Sequence, residues 1–222
     1  HHGCVANVYT VFGTVDRSKG LKGLCAFLVE RNRLGISVGK EEDKMGIRNT
    51  NTTDVIFQDV RIPKTHLLGK EGEGFKIAMQ TLDIARPIVG ALGVGLSQAA
   101  LDHSIKYAKE RVQFGKPIAA NQVIQFMLAD MAIQTEAARA LVYQAAYLKD
   151  SGQASTFHAA ICKTFAGDTA MAVSTDAVQI FGGYGYSREY PVEKLMRDAK
   201  ILQIFEGTNQ VQRMVIAGQL LK

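Results

Sequence analysis

From about Gly69 to its end, the chain repeats apolar residues at the three-and-four spacing of helices, and this limits the possible folds more than any other feature. The first stripe runs through Phe75, Ala78, Met79, Leu82, Val89, Leu92, Leu96, Leu101, Ile105 and Ala108. It covers roughly forty residues, or about 60 Å at 1.5 Å per residue, a length that a globular chain supports inside a bundle. Pro87 is expected to bend it. A second helix is predicted from Pro117 to about Lys149, with Val123, Phe126, Met127, Asp130, Met131, Ala137, Leu141 and Ala145 on its mainly apolar face. A third, Ala-rich helix is predicted from about Gln153 to Phe181, with Gly182 and Gly183 at its C-terminal cap. A short helix at 191–196 and a fourth long one at 209–221 complete an up-and-down arrangement.

The first third reads differently. Alternating apolar residues predict strands at Val5–Phe12, Leu24–Val29, Ile36–Val38 and Val55–Val60, with Pro63 closing the region. Four short strands make a poor independent sheet, so further strands are expected upstream. The fold class is therefore α+β: residues 1–68 form the end of a β domain and residues 69–222 a C-terminal four-helix bundle. The glycines at 69, 72 and 74 do not match a phosphate-binding loop and read as a hinge entering a helix. Gly90, Gly93 and Gly95 read as helix-packing positions. His1 and His2 resemble the remnant of a purification tag, and the lack of an initiator Met suggests a chain that starts inside a longer one.

Composition narrows the function. A net charge of +5, with no run of basic residues, suits an anionic small ligand as well as any polymer and makes nucleic acid a minority reading. Three widely spaced cysteines without C-x-x-C spacing point to a reducing compartment, with no structural zinc. No uninterrupted apolar run reaches the roughly 20 residues of a bilayer span. No histidine pair has metal-ligand spacing and no G-x-S-x-G elbow occurs, which argues against metal and serine-hydrolase chemistry.

Four stretches carry chemistry. In IFEGTNQVQR, Glu206 lies between an apolar pair, Ile204 and Phe205, and a Gly-Thr-Asn helix start. A carboxylate desolvated there can abstract a proton; alternatively it merely precedes a helix capped by Thr208 or Asn209. Asp83 and Arg86 share a helix face just before Pro87, either as a surface ion pair or as a polar contact to a ligand. ERVQFGKP offers Arg111, Gln113 and Phe114 on one connection, a cation for phosphate and a ring for stacking. In QIFGGYG, Gln179 adjoins glycines that either admit close backbone approach or simply cap the helix.

Together DIARP, ERVQFGKP, DAVQIFGGYGY, EYPVEKLMRDAK and IFEGTNQVQR, in this order and spacing, resemble the C-terminal two thirds of the acyl-CoA dehydrogenase family, in particular its short-chain or butyryl-CoA type. The resemblance implies an FAD-dependent, homotetrameric enzyme with an N-terminal helical domain, a middle β domain and a C-terminal four-helix bundle. The first domain and the front of the second would be missing here. It implies α,β-dehydrogenation of an acyl-CoA with electrons passed to an electron-transferring flavoprotein, in the cytoplasm of a bacterium or the mitochondrial matrix of a eukaryote. No nucleic acid or membrane partner is implied.

By the same resemblance Glu206 is the catalytic base and Gly207 lies beside the acyl group, while Thr208, Asn209 and Gln210 form a flavin-contacting turn. Arg111, Gln113 and Phe114 would meet the dinucleotide half of FAD, with Gln122 a further contact. Gln179, Ile180, Phe181, Gly182 and Gly183 match the other FAD stretch, and Asp83 with Arg86 the helix along the CoA thioester. Some relatives carry their base just before that arginine; here the position is Ala85, which leaves the role to Glu206. The alternatives are a DNA-associated homologue without dehydrogenase activity and a purely structural oligomerisation bundle.

Overall fold

A computed structural model describes residues 2–153 and 155–222. His1, half of the presumed tag, and Ala154, within the third predicted helix, lie outside the described residues. The chain divides into two compact units, His1–Leu82 and Asp83–Lys222. The change from strand to helix precedes that division, because helix α1 already begins at Gly74.

In the first unit, β1 (Val8–Thr14) pairs antiparallel with β2 (Leu24–Glu30) from Val8↔Glu30 to Thr14↔Leu24. The short β5 (Leu67–Leu68) adds to the other edge of β2. Strands β3 (Ile36–Glu41) and β4 (Thr53–Phe57) form a separate antiparallel pair with a register shift between Val38 and Glu41. The four predicted strands thus pair two by two. Cys25 and Ala26 on β2 are fully buried. The glycines expected to act as a hinge are packed instead: a Cβ at Gly74 would fall 2.5 Å from the Cys25 carbonyl carbon, and one at Gly72 2.6 Å from Lys22 O.

The second unit holds most of α1 (Gly74–Glu110), then α2 (Gln122–Asp150), α3 (Thr156–Phe181), the short α4 (Val192–Ala199) and α5 (Asn209–Leu220). One apolar cluster joins Val94 of α1, Val142 of α2 and Cys162 of α3; a second joins Leu101, Met131 and Val173. Residue numbers rise together on α1 and α3 and fall on α2, so α2 runs antiparallel to both. Helix α3 is central and small-residued: Ala159, Ala160, Ala166, Ala170 and Ala177 are all buried. Ser155 caps it by accepting from the His158 amide, and Gly182, at φ 61°, ends it.

Pro87 lies inside α1, which continues as one helix for 37 residues. The predicted stripe of α1 holds at Val89, Leu101 and Ala108, which are buried, but not at Phe75 and Leu92, which are exposed; Arg86, Pro87 and Val94, outside that stripe, are buried as well. Gly90 and Gly93 do serve close packing, their absent Cβ atoms falling 2.8 Å from Val142 Cγ2 and 2.8 Å from Ala166 O; Gly95 faces open space. By length and composition alone α1 is long and apolar enough to cross a bilayer. Its buried residues pack on α2 and α3, as in the core helix of a globular unit.

Candidate active site

Most of the predicted site residues fall into two groups within the second unit, with Asp83 and Arg86 a separate pair on α1. The first surrounds a cavity of about 540 Å³ lined by Arg111, Gln113, Ile180, Phe181, Gly182 and Gly183, together with Tyr107, Ile118 and Tyr184. Arg111 follows the last turn of α1, while Phe181 and the two glycines end α3, so two helix C-termini build the wall. Tyr107 stacks on Phe181 with ring centres 4.0 Å apart, and Tyr190 meets Phe181 edge-on at 5.4 Å. Burial raises the Tyr107 hydroxyl above its ordinary pKa, and that group donates to Phe181 O at 3.4 Å. The Arg111 guanidinium lies over the Tyr184 ring at 5.0 Å. No side chain atom would meet a Cβ at Gly182 or Gly183, so the glycines leave backbone open toward this space. An accessible guanidinium, an amide, aromatic walls and bare backbone fit a nucleotide with a diphosphate and planar rings.

Between β6 (Val112–Gln113) and β7 (Lys116–Pro117), Phe114 and Gly115 have φ 53° and 78°, the signature of a primed two-residue turn. That turn holds Phe114 96% exposed. Phe114, Gln122 and Gln179 are all exposed and are not part of the cavity wall.

The second group gathers at the start of α5. Thr208 caps the helix, accepting from the Val211 amide at 3.2 Å. Glu206 is half-buried, and both it and Gly207 have positive φ, 58° and 90°. Gly207 suits that conformation; a Cβ there would also fall 2.4 Å from Gln212 Nε2. The expected apolar wedge is only half formed: Phe205 packs beside Leu202 and Ala199, but Ile204 is 49% exposed. Asn209 is buried and both ends of its carboxamide are committed inside the chain, to Lys163, Thr164 and Asp168. The Asn209 side chain thus ties the start of α5 to α3. Gln210 is exposed.

Sequence reasoning missed the residues beneath this loop. Lys163 of α3 is fully buried and its Nζ donates to Gly207 O at 2.8 Å and Asn209 Oδ1 at 2.8 Å. Desolvation pushes this ammonium down to about 8; Asp168 and Glu206 oppose the shift and Arg86 adds to it. Gln212, also fully buried, donates to the carbonyls of both Glu206 and Gly207 at 3.1 Å. Burial opposes ionisation of Asp168, yet hydrogen bonds from Arg213, Asn209 and Gln203 outweigh it and hold the carboxyl below its ordinary range. The one signal was a lone Lys inside the apolar run AAICKTFAG.

Asp83 and Arg86 form an ion pair that is half-buried on the Asp83 side and buried on the Arg86 side, contrary to the surface alternative. Arg86 is 4% exposed and donates to Asp83 Oδ1 at 2.8 Å, while Asp83 Oδ2 accepts from Thr156 at 2.6 Å. Arg86 Nε is buried without a hydrogen-bond partner among the described residues.

Residues 72–221 match the family profile "Acyl-CoA dehydrogenase, C-terminal domain". The short-chain specific acyl-CoA dehydrogenase of Megasphaera elsdenii is 55% identical over 221 residues, covering 100% of this chain and 58% of that protein. The solved structure of butyryl-CoA dehydrogenase from Megasphaera elsdenii superposes with a TM-score of 0.98, at 55% identity, over 100% of this chain and 58% of that one. A chain in the structure of the electron transferring flavoprotein of Acidaminococcus fermentans gives a TM-score of 0.98 at 53% identity, with the same coverage, 100% and 58%. The chain thus spans somewhat more than half the length of the relatives it matches. With its helical unit, its paired strands and near-complete superposition at this identity, the chain belongs to the acyl-CoA dehydrogenase family.

Proposed function

We propose that this chain is the part of a short-chain acyl-CoA dehydrogenase that carries the base and much of the FAD site, acting on a butyryl-CoA-like thioester to give the 2-enoyl-CoA. The observation that carries the reading is the Glu206–Gly207 pair. A carboxylate held in a left-handed turn, followed by a residue without a side chain, stands at the start of a helix beside a buried lysine. Backbone of this kind persists where function requires it.

Glu206 removes a proton from C2 of the thioester, and its own backbone N–H donates to the thioester carbonyl as negative charge develops there. Gly207 leaves room for the acyl chain. Asp83 and Arg86 fix the polar wall along which the CoA end lies. Arg111, Gln113, Phe114, Gln122, the 179–183 turn and Thr208 to Gln210 hold FAD. When bound, FAD supplies the acceptor for the hydride leaving C3, so that two electrons and one proton depart together with the C2 proton. Phe114, on its exposed turn, and Gln122 are read as reaching the cofactor of a neighbouring copy in a homotetramer. An electron-transferring flavoprotein is the proposed acceptor, and the four long helices the proposed bundle.

Glu206→Gln in the flavin-loaded protein carrying this chain is expected to keep FAD and lose anaerobic flavin reduction by butyryl-CoA. Reduction at the wild-type rate would remove Glu206 from the chemistry.

A further inference from the structure

Lys163 heads the fully buried side chains by size, and the reaction proposed above does not use it. Its ammonium lies among charges from three elements: Asp168 on its own helix, Arg86 on α1 and Glu206 on the loop. Removing a lysine from water is costly, and an apolar side chain of equal volume often serves stability as well or better. What Lys163 does that an apolar residue cannot is hold two acceptors on the loop, Gly207 O and Asn209 Oδ1, each at 2.8 Å. Gln212 binds the same segment from α5. Between them the two side chains place three hydrogen bonds on the carbonyls of the two positive-φ residues. For Glu206 that backbone region is strained, so a free loop would relax out of it.

We propose that Lys163 is a positioning residue: by fixing the Gly207 carbonyl it holds the Glu206 carboxylate at one place relative to C2 of the thioester. The inference rests on Glu206 being the base. Displacement of a reacting group by an ångström is worth about a hundredfold in rate, which sets the scale of the effect.

The test uses the flavin-loaded protein carrying this chain and acetyl-CoA in D2O, since acetyl-CoA has C2 protons but no C3 hydride to lose. Deuterium incorporation at C2, followed by NMR, then reports the base alone. Lys163→Met is expected to slow it by about ten- to a hundredfold. Backbone amides at 205–208 should exchange faster, while those of α2 keep wild-type protection and the flavin spectrum is retained. With butyryl-CoA, kcat should fall and KM stay near wild type. Lys163→Gln, which keeps N–H donors without charge, should lose less, and it replaces the Met variant should that one not fold. Incorporation at the wild-type rate in Lys163→Met, with Glu206→Gln inert, overturns the positioning role and leaves the base standing. A wild-type rate in Glu206→Gln overturns the base and this inference with it. Equal losses in both Lys163 variants, with protection lowered throughout the unit, would make Lys163 a merely structural residue and also overturn it.

Discussion

At the scale of single residues, the site is organised around a conformation that glutamate disfavours. Glu206 sits at φ 58°, where an L side chain crowds its own carbonyl, and Gly207 follows at φ 90°. With Glu206 as the proposed base, stability and chemistry are opposed at position 206. Glu206→Gly is therefore expected to raise the unfolding free energy by about 1 kcal/mol through relief of that strain, while abolishing flavin reduction by acyl-CoA. Urea unfolding of the variant checks the first half; a variant less stable than wild type would show that the carboxylate contributes more to the fold than its backbone costs. The motif singled out Glu206 and Gly207 for their proposed roles. The left-handed turn at Glu206 was not legible, because no propensity of glutamate announces it, and the side chains that hold its segment are buried ones, Gln212 on the next helix and Lys163 far upstream.

At the scale of elements, α3 is the axis against which the rest of its unit packs, and its small residues set the spacing. Where α1 crosses it, Gly93 brings one backbone against another: a Cβ there would fall 2.8 Å from Ala166 O, an atom that cannot swing aside. Gly93→Ala is expected to destabilise by about 1–3 kcal/mol, despite the better helix propensity of alanine, because overpacking outweighs it. Thermal unfolding of the variant decides this, and a rise in Tm would contradict it. Helix positions and lengths were readable from periodicity. The buried face of α1 was readable only in part: the stripe through Val89, Leu101 and Ala108 is buried, but it also took in Leu92, which is exposed, and left out Val94, which is buried, because apolar residues surround that helix. A similar ambiguity affects α2, where Val123 and Phe126 face outward and Met131 and Val142 inward.

At the scale of the whole molecule, buried ionisable groups make stability depend on pH. Lys163 holds its proton less tightly in the folded chain, at about 8, than the ordinary 10.5 of an unfolded lysine. Between those values the unfolded chain binds more protons, so the cost of burying this ammonium is fully present below about pH 8 and is relieved as pH rises toward 10.5. Cys162 acts oppositely, since burial pushes its thiol up to about 11 and stability is lost as pH climbs above the ordinary 9.0. Comparison with Lys163→Met cancels that second contribution. Wild type is expected to gain stability relative to the variant between about pH 7.5 and 10, and urea unfolding at both pH values with an unchanged gap would refute the linkage. By itself the sequence determined the strand-to-helix order, the lengths of the helices and the family motifs, because periodicity and short-range chemistry are written locally. Only the tertiary structure decided that Arg111 and the glycines after α3 share one cavity, that Arg86 is buried against Asp83, and that a lysine some forty positions upstream holds the Glu206 loop. Such pairings follow from which helix faces meet in space, and side chains far apart along the chain carry no local mark of them.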